Sequence, residues 1–335
     1  MVWIPSKYGY APVRNMDTLY VDTLLTRSLI DAENLTKKFG GFNAVEGVTF
    51  HVNEGEVSGL LGPNGAGKTT TMRILCCLIS KTGGQVTVGG YKIGNDLNSL
   101  RIRSIIGFLP DNVGLYEELS AYKNLDFYGK LYERTEQQRK ASIERFLRLL
   151  GLWEKRDLPV GTFSKGMKQK IALARSMVHE PKILFLDEPT VNLDPESART
   201  VRDFILKLKK EKKTIFLNTH NLDEAQRICD KIGILKTRLL TVGTPEQLKE
   251  LFWSRKTIIQ LEKVNDLIMN AVKTQASKEV LIDGNRLIID VANGENENPK
   301  LIEAIVLAGG RIQYAMEHSP SLEDIYVKIV RGDLK

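Results

Sequence analysis

The stretch GLLGPNGAGKTT, Gly59 to Thr70, constrains the fold of this chain more than any other. An apolar segment leads into Gly-x-x-x-x-Gly-Lys-Thr at residues 62–69, and helical spacing of apolar residues follows from Met72 to Ile79. A glycine-rich loop between a strand and a helix start points backbone N–H groups at phosphate oxygens. The segment therefore predicts a phosphate-binding loop, and a tight glycine turn without a ligand is the weaker alternative.

Each position of this loop has a chemical reason. Glycines at positions 62, 65 and 67 let the backbone approach the phosphates. We expect Lys68 to reach the β- and γ-phosphates and the Thr69 hydroxyl to bind magnesium. The loop thus implies ATP and Mg²⁺ as the ligands. The residues expected to contact them here are Gly62, Pro63, Asn64, Gly65, Ala66, Gly67, Lys68, Thr69 and Thr70.

Polar side chains close two apolar strands further along the chain. Asp187 and Glu188 follow ILFL, and His220 follows TIFLNT. Buried parallel strands present their carboxyl ends to the ligand. We expect Asp187 to hold the magnesium ion, usually through water, and Glu188 to polarise the attacking water. His220 is expected to bond both the γ-phosphate and Glu188, so the catalytic set is Lys68, Glu188 and His220. An Asp-Glu pair could also merely begin a turn.

The pattern around these motifs predicts the organisation of the first domain. From Leu29 to about Ile93, short alternating segments broken by turn signals predict a small antiparallel sheet. Between Ser120 and Leu150 the spacing becomes helical, with Gly151 as a stop. The fold class is therefore α/β, with a mainly parallel core sheet, an antiparallel β subdomain and a helical subdomain at about 112–165. The first 28 residues form an N-terminal extension that is either disordered or packed on a neighbour.

A second, smaller domain follows the break at Gly243-Thr244-Pro245. Its order of segments is βαββαβ and then a final helix, which fits a ferredoxin-like α+β domain at 245–335. One helix is expected to start at Pro299, and a capping pair, Ser321 and Asp324, is expected to start the last one. No glycine-rich loop, histidine pair or carboxylate cluster accompanies it, so we expect an accessory role.

Charge and hydropathy argue against several classes of function. No apolar run approaches the roughly 20 residues needed to cross a bilayer, so the chain itself is expected in the cytoplasm. The formal charge is +7, but the lysines between 207 and 213 suit the end of a helix, so no nucleic acid is expected as a partner. Three cysteines give no metal spacing and no disulfide framework.

One further helix start, FSKGMKQKIALARS at Phe163 to Ser176, has no ligand of its own in the sequence. Together with the loop, the Asp-Glu pair, Asp194 and His220, it resembles the ATP-binding cassette (ABC) ATPases in order and spacing, over roughly Leu29 to Thr244. In that family this segment binds the γ-phosphate of ATP held by a second subunit, and the free N–H groups of a helix start suit that anion. The resemblance thus implies a homodimer around two ATP molecules, with nucleotide contacts from Ser164, Lys165, Gly166, Met167 and Asp194.

Within the family, the sequence is similar to those of the ATPase subunits of drug- and sodium-export transporters. FSKGMKQK, IGFLPDNVGLYEELSAYKNL and the terminal PSLEDIYVKIV all resemble that branch. Phe39 matches the aromatic residue that stacks on adenine, although a core phenylalanine is the alternative. Lys165 replaces a signature glycine, and either adds a cation near phosphate or points to solvent. Asp111 stands where the family usually has glutamine, and we expect it to sense magnesium and contact the nucleotide.

The resulting functional prediction is an ATP-binding and ATP-hydrolysing subunit of an export transporter. It would lie at the inner face of the cell membrane, held there by a separate integral membrane permease. The alternative is a soluble ATPase that acts on ribosomes or nucleic acid, although family members of that kind carry two cassettes in one chain. A DNA-repair type would need a long coiled-coil insertion, and only 95 residues separate Lys68 from Ser164. A pure scaffold is disfavoured because every hydrolytic residue type is present.

Overall fold

The computed structural model describes residues 27–111, 114–250, 255–276, 280–291, 293–318 and 326. The chain divides into two compact units between Thr244 and Pro245, and each is described by itself. The proposed N-terminal extension lies outside the described residues, apart from Arg27 and Ser28.

The first unit contains both strands and helices. Its described strands are β1 (Ser28–Phe39), β2 (Phe42–Asn53), β3 (Val57–Leu61), β4 (Gly83–Val88), β5 (Tyr91–Lys92), β6 (Ile106–Leu109), β7 (Ile183–Asp187), β8 (Thr214–Thr219), β9 (Lys231–Lys236) and β10 (Arg238–Gly243). Its described α-helices are α1 (Lys68–Leu75), α2 (Asp96–Ile105), α3 (Ala121–Leu131), α4 (Glu136–Leu149), α5 (Lys165–Met177), α6 (Pro195–Lys210) and α7 (Leu222–Ile228).

A six-stranded sheet forms the centre of this unit, in the order β10-β9-β3-β8-β7-β6. The strands from β9 to β6 are parallel, and β10 pairs antiparallel with β9. Strands β3, β7 and β8 are buried at every residue, which is why their sequences are continuous apolar runs. Because their carboxyl ends share one edge, the phosphate loop, Asp187 and His220 come together there. The predicted mainly parallel α/β core is confirmed.

A separate antiparallel sheet has the order β2-β1-β4-β5. A two-residue Gly40-Gly41 turn joins β1 to β2 and sets Phe39 opposite Phe42. Gly40 has a φ of 56°, the left-handed region in which glycine carries no steric penalty. The turn therefore projects two aromatic residues from one end of this sheet.

The helical segment begins at Ser120, whose hydroxyl accepts from the Lys123 N–H and caps α3. Thr135 and Gln138 form a capping box that starts α4. Gly151 follows α4 with a φ of 68°, at the predicted stop. The buried faces of the two helices carry the apolar residues whose spacing predicts them, namely Ala121, Leu125, Ile143, Phe146 and Leu147.

The second unit contains α8 (Pro245–Glu250), β11 (Arg255–Leu261), α9 (Asp266–Gln275), β12 (Val280–Asp283), β13 (Arg286–Val291), α10 (Gly294–Leu307) and β14 (Ile312–His318). Its sheet is antiparallel in the order β12-β13-β11-β14, the predicted ferredoxin-like arrangement. Helix α10 starts at Gly294, five residues before the expected Pro299, because the Asn293 side chain caps it by accepting from the Asn296 N–H. The expected final helix from Ser321 lies outside the described residues, except for Tyr326.

Nowhere in the described ranges does a helix combine the length and the apolar character that crossing a membrane would require.

Candidate nucleotide site

The phosphate loop connects β3 to α1 and is held against two other strands. Gly67 precedes α1 with a φ of 98°, and a Cβ atom there would overlap the Ala44 carbonyl oxygen. A Cβ atom on Gly62 would overlap the carbonyl oxygen of Leu235 in the same way. These two positions require glycine because the backbone of neighbouring strands approaches so closely.

Lys68 is the buried cation of the loop. Its Nζ donates to the carbonyl oxygens of Gly62 at 2.7 Å and Pro63 at 3.2 Å, and lies 3.7 Å from Glu188 Oε1. Burial lowers the pKa of Lys68, and the nearby carboxylates of Glu188 and Asp187 oppose that shift. Because few water molecules screen it, this ammonium group is placed to attract phosphate strongly.

Asp187 lies beneath the loop at the end of β7 and is almost fully buried. Its Oδ1 accepts from the Thr69 hydroxyl at 3.2 Å and from Asn218 Nδ2 at 3.0 Å. Burial is the main cause that raises the pKa of Asp187, and the two hydrogen bonds only partly oppose it. A cation beside this carboxylate would stabilise its charged form.

These groups fit magnesium. The donor set consists of oxygen atoms, from the Asp187 carboxylate and the Thr69 hydroxyl, with the buried Asn218 Oδ1 left without a hydrogen-bond partner nearby. Within the described residues, no group of three or more His, Cys, Asp or Glu side chains surrounds a common point. Magnesium suits such a sparse set, because it keeps several waters and takes further oxygens from substrate phosphates.

Glu188 and His220 form the polar pair above Asp187. The Glu188 backbone has a φ of 50°, and its Oε2 lies 2.9 Å from His220 Nδ1. The His220 backbone N–H also points at that oxygen, at 3.4 Å. The Glu188 side chain is 16% exposed and the His220 side chain 52%, so the pair opens toward solvent on the imidazole side.

The site opens as a cavity of about 370 Å³. Its lining brings together most of the predicted residues: Phe39, Asn64, Gly65, Ala66, Gly67, Lys68, Thr69, Thr70, Asp111, Asp187 and Glu188. Phe39 is 50% exposed at this cavity, which excludes the alternative of a core phenylalanine. Phe42 and Ala44, which were not predicted, also line it.

The start of α5 lies apart from this cavity. Ser164 and Lys165 are exposed, and the Ser164 hydroxyl accepts from the Met167 N–H at 3.3 Å as a helix cap. Gly166 is buried, and a Cβ atom on it would overlap Ser197, next to the Asp194 carboxylate. Asp194 is exposed and caps α6, and the Ser197 N–H bonded to it lowers its pKa. None of Ser164, Lys165, Gly166, Met167 and Asp194 is among the residues that line the cavity.

The sequence of this chain matches those of known nucleotide-binding proteins. A family described as "ABC transporter" matches residues 45–191, and one described as "ATP-binding protein DrrA1-3-like, C-terminal domain" matches residues 243–330. The chain is 34% identical over 273 residues to the linearmycin resistance ATP-binding protein LnrL of Bacillus subtilis, covering 80% of this chain and 87% of that one. This chain is an ABC transporter ATP-binding protein.

Solved structures of ABC proteins share its fold. One titled "Structure of ATP binding subunit of ABC transporter" aligns with a TM-score of 0.62 and 30% identity, over 67% of this chain and 93% of that one. A dimeric ATP-binding cassette, MJ0796 bound to ADP and Pi, aligns with a TM-score of 0.59 and 26% identity, over 64% of this chain and 98% of that one. The predicted family and its cassette fold are thereby confirmed.

Three buried polar residues of this ABC ATP-binding protein were not predicted. Asn218 bonds Asp187, Gln169 of α5 donates to the Pro189 carbonyl oxygen at 3.1 Å, and Glu224 of α7 is buried just beyond His220. Each bonds to a segment that is distant from it in the sequence, so no local sequence pattern indicates its contact. Phe42 could have been predicted from the sequence, because the two-residue turn before it places it opposite Phe39.

The ABC ATP-binding protein should be sensitive to a single methyl group at position 67. We expect Gly67→Ala to lower the free energy of unfolding by about 2 to 4 kcal/mol, from the left-handed backbone and the overlap with the Ala44 carbonyl oxygen. Gly65→Ala is the matched control, because Gly65 also has a positive φ, 79°, but faces open space. Urea unfolding of both variants measures the difference. Equal losses would show that the loop can move away from β2.

Proposed function

We propose that this chain is the ATP-hydrolysing subunit of an export transporter, that two copies enclose two ATP-Mg²⁺, and that a separate membrane permease is driven by them. One observation supports the dimer: residues 64–70 of the phosphate loop and Glu188 line the cavity, whereas Ser164 and Lys165 at the capped start of α5 are exposed and do not line it. A helix start with free N–H groups suits a terminal phosphate that comes from another chain.

Hydrolysis would begin with binding of the triphosphate in the loop. The backbone N–H groups of residues 65–69 would bind its oxygens, and the Lys68 ammonium group would exchange its carbonyl partners for the β- and γ-phosphates. Phe39 and Phe42, exposed at the mouth, would pack against the adenine ring. Asp187 and Thr69 would hold magnesium, which supplies neutralisation of phosphate charge.

Glu188 would then accept a proton from the attacking water. Its Oε2 is fixed by His220, which leaves the other carboxylate oxygen, Oε1, on the side of Lys68. A base held in one orientation shortens the search for a productive water position. His220 is half exposed, so its second ring nitrogen remains available for the γ-phosphate. Asp111, exposed at the cavity wall, is proposed to sense the magnesium ion and its water shell.

Support for export comes from relatives. LnrL is named for linearmycin resistance, and a relative from Escherichia coli is named a probable multidrug ABC transporter ATP-binding protein. The sequence of the C-terminal unit has no glycine-rich loop and no histidine pair, so we assign this unit to dimer support or regulation. In this proposal, the chain works at the inner face of the cell membrane.

Co-purification tests the transporter assignment. We expect the tagged chain, extracted gently from source membranes, to bring down one multi-span membrane protein at stoichiometric level, identified by mass spectrometry. The untagged chain in the same membranes gives the background. Recovery of ribosomes, nucleic acid or only a self-dimer would instead assign the chain to the soluble ABC-type ATPases.

A further inference from the structure

Glu224 is a buried acid that the proposed hydrolysis does not use. It lies in the first turn of α7, four residues after His220, and is only 2% exposed. Acidic side chains are seldom buried to this degree without partners that need them. Its burial therefore depends on the hydrogen bonds that its carboxylate accepts.

Both carboxylate oxygens of Glu224 accept hydrogen bonds from threonines on separate segments. Oε1 accepts from the Thr190 hydroxyl at 2.7 Å, and Oε2 accepts from the Thr219 hydroxyl at 2.8 Å. Thr190 is two residues after Glu188, and Thr219 directly precedes His220. One carboxylate thus joins the segment after the base to the strand end that carries its histidine partner.

The hydrogen bonds around Thr219 orient its hydroxyl toward Glu224. The Thr219 oxygen accepts from the Asn221 N–H at 3.0 Å, which leaves its proton for Glu224. The segment after Glu188 is short and closed, since the Val191 N–H donates to the Glu188 carbonyl oxygen at 3.3 Å. A displacement of Thr190 would therefore be transmitted to Glu188 through one tight turn.

We propose that Glu224 is a positioning residue: through Thr190 and Thr219 it fixes the placement of Glu188 relative to His220. This inference rests on the proposed function, because it assigns Glu188 as the base. The Glu188–His220 contact of 2.9 Å joins two side chains that follow different strands, and Glu224 bonds to both of the segments that carry them. Catalytic geometry tolerates little error, since a shift of about 1 Å can cost about 100-fold in rate.

Two substitutions separate hydrogen bonding from charge. In Glu224→Gln the amide oxygen can still accept from Thr219, and the amide NH₂ can donate to the half-buried Thr190 hydroxyl, so we expect a kcat within about 3-fold of wild type. Glu224→Met keeps the length but bonds neither threonine. We expect it to lower kcat by about 10- to 100-fold and to leave the KM for ATP within about 2-fold, because the phosphate loop is untouched.

Thr190→Val keeps the result interpretable if Glu224→Met folds poorly. It deletes one hydroxyl at constant shape and should lower kcat by about 5-fold, and its effect should shrink in the Glu224→Met background. Asp31→Asn is the matched control: Asp31 also accepts from two hydroxyls, those of Ser28 at 2.8 Å and Thr87 at 3.3 Å, but it lies in the antiparallel sheet away from the cavity.

Steady-state ATP hydrolysis by the full chain and ATP affinity are measured for the four single variants and for the double variant that combines Glu224→Met with Thr190→Val. A slow Glu224→Gln would overturn the positioning role, because charge rather than hydrogen bonding would then matter. Wild-type kcat in both Glu224→Met and Thr190→Val would overturn it as well. An inactive wild type that binds ATP would refute the proposed hydrolytic function, and the positioning role with it.

Discussion

Replacing Glu188 by glutamine will lower ATP turnover by about 10²- to 10⁴-fold, the usual contribution of general-base assistance. The amide cannot accept the proton of the attacking water, yet it keeps the shape of the carboxylate beside His220 and Lys68. Removing the negative charge also lessens repulsion toward the triphosphate. ATP affinity should therefore hold or rise, and the ATP-bound dimer should accumulate.

Phosphate release and size-exclusion chromatography with ATP-Mg²⁺ measure these two effects. Glu180→Gln is the matched control, because Glu180 also has a positive φ, 56°, but bonds Ser142 and Arg145 outside the nucleotide cavity. It should leave turnover unchanged. Normal turnover in Glu188→Gln would remove Glu188 from the role of base.

Lys68→Met should weaken ATP binding, whereas Glu188→Gln should slow ATP turnover. Truncating one partner of a buried, hydrogen-bonded charge pair costs about 2 to 5 kcal/mol, which is about 30- to 4,000-fold in the Kd for ATP. Without ATP the substitution leaves Glu188 and the carbonyl oxygens of Gly62 and Pro63 without their buried cation, so the Tm of the ligand-free chain should fall. The further rise in Tm that ATP induces in the wild type should disappear.

Titration with ATP and thermal unfolding with and without nucleotide measure both parts. Lys213→Met serves as control, because Lys213 Nζ also donates to a backbone carbonyl, that of Pro181 at 2.7 Å, and lies 4.0 Å from Glu180. Tight ATP binding by Lys68→Met would mean that the backbone N–H groups of the loop dominate phosphate recognition.

The sequence predicted those parts of the molecule in which chemistry and local pattern coincide. The phosphate loop, the strand end at Asp187 and the stop at Gly151 each depend on a few adjacent residues, and all lie where the pattern places them. Helix α10 was different: Pro299 is a common first-turn residue, but the cap at Asn293 starts the helix earlier.

Residues that act across the fold could not be predicted in this way. Gln169 and Glu224 resemble ordinary polar positions of amphipathic helices, and only tertiary packing brings them to Pro189, Thr190 and Thr219. Their sequence distances from Glu188, close to which these bonds lie in the chain, have no regular period. At the exposed start of α5 the segment itself was recognised in the sequence, but its proposed ligand belongs to another chain.

Because the backbone at Glu188 is left-handed, a substitution that raises thermostability at this position would remove the proposed base. For a residue with a side chain this conformation costs about 1 kcal/mol, whereas glycine adopts it freely. Selection for heat resistance alone would favour glycine at position 188, as at Glu180, and would thereby remove the proposed base. Heat-resistant variants of this protein are therefore best sought under a selection that also demands ATP turnover.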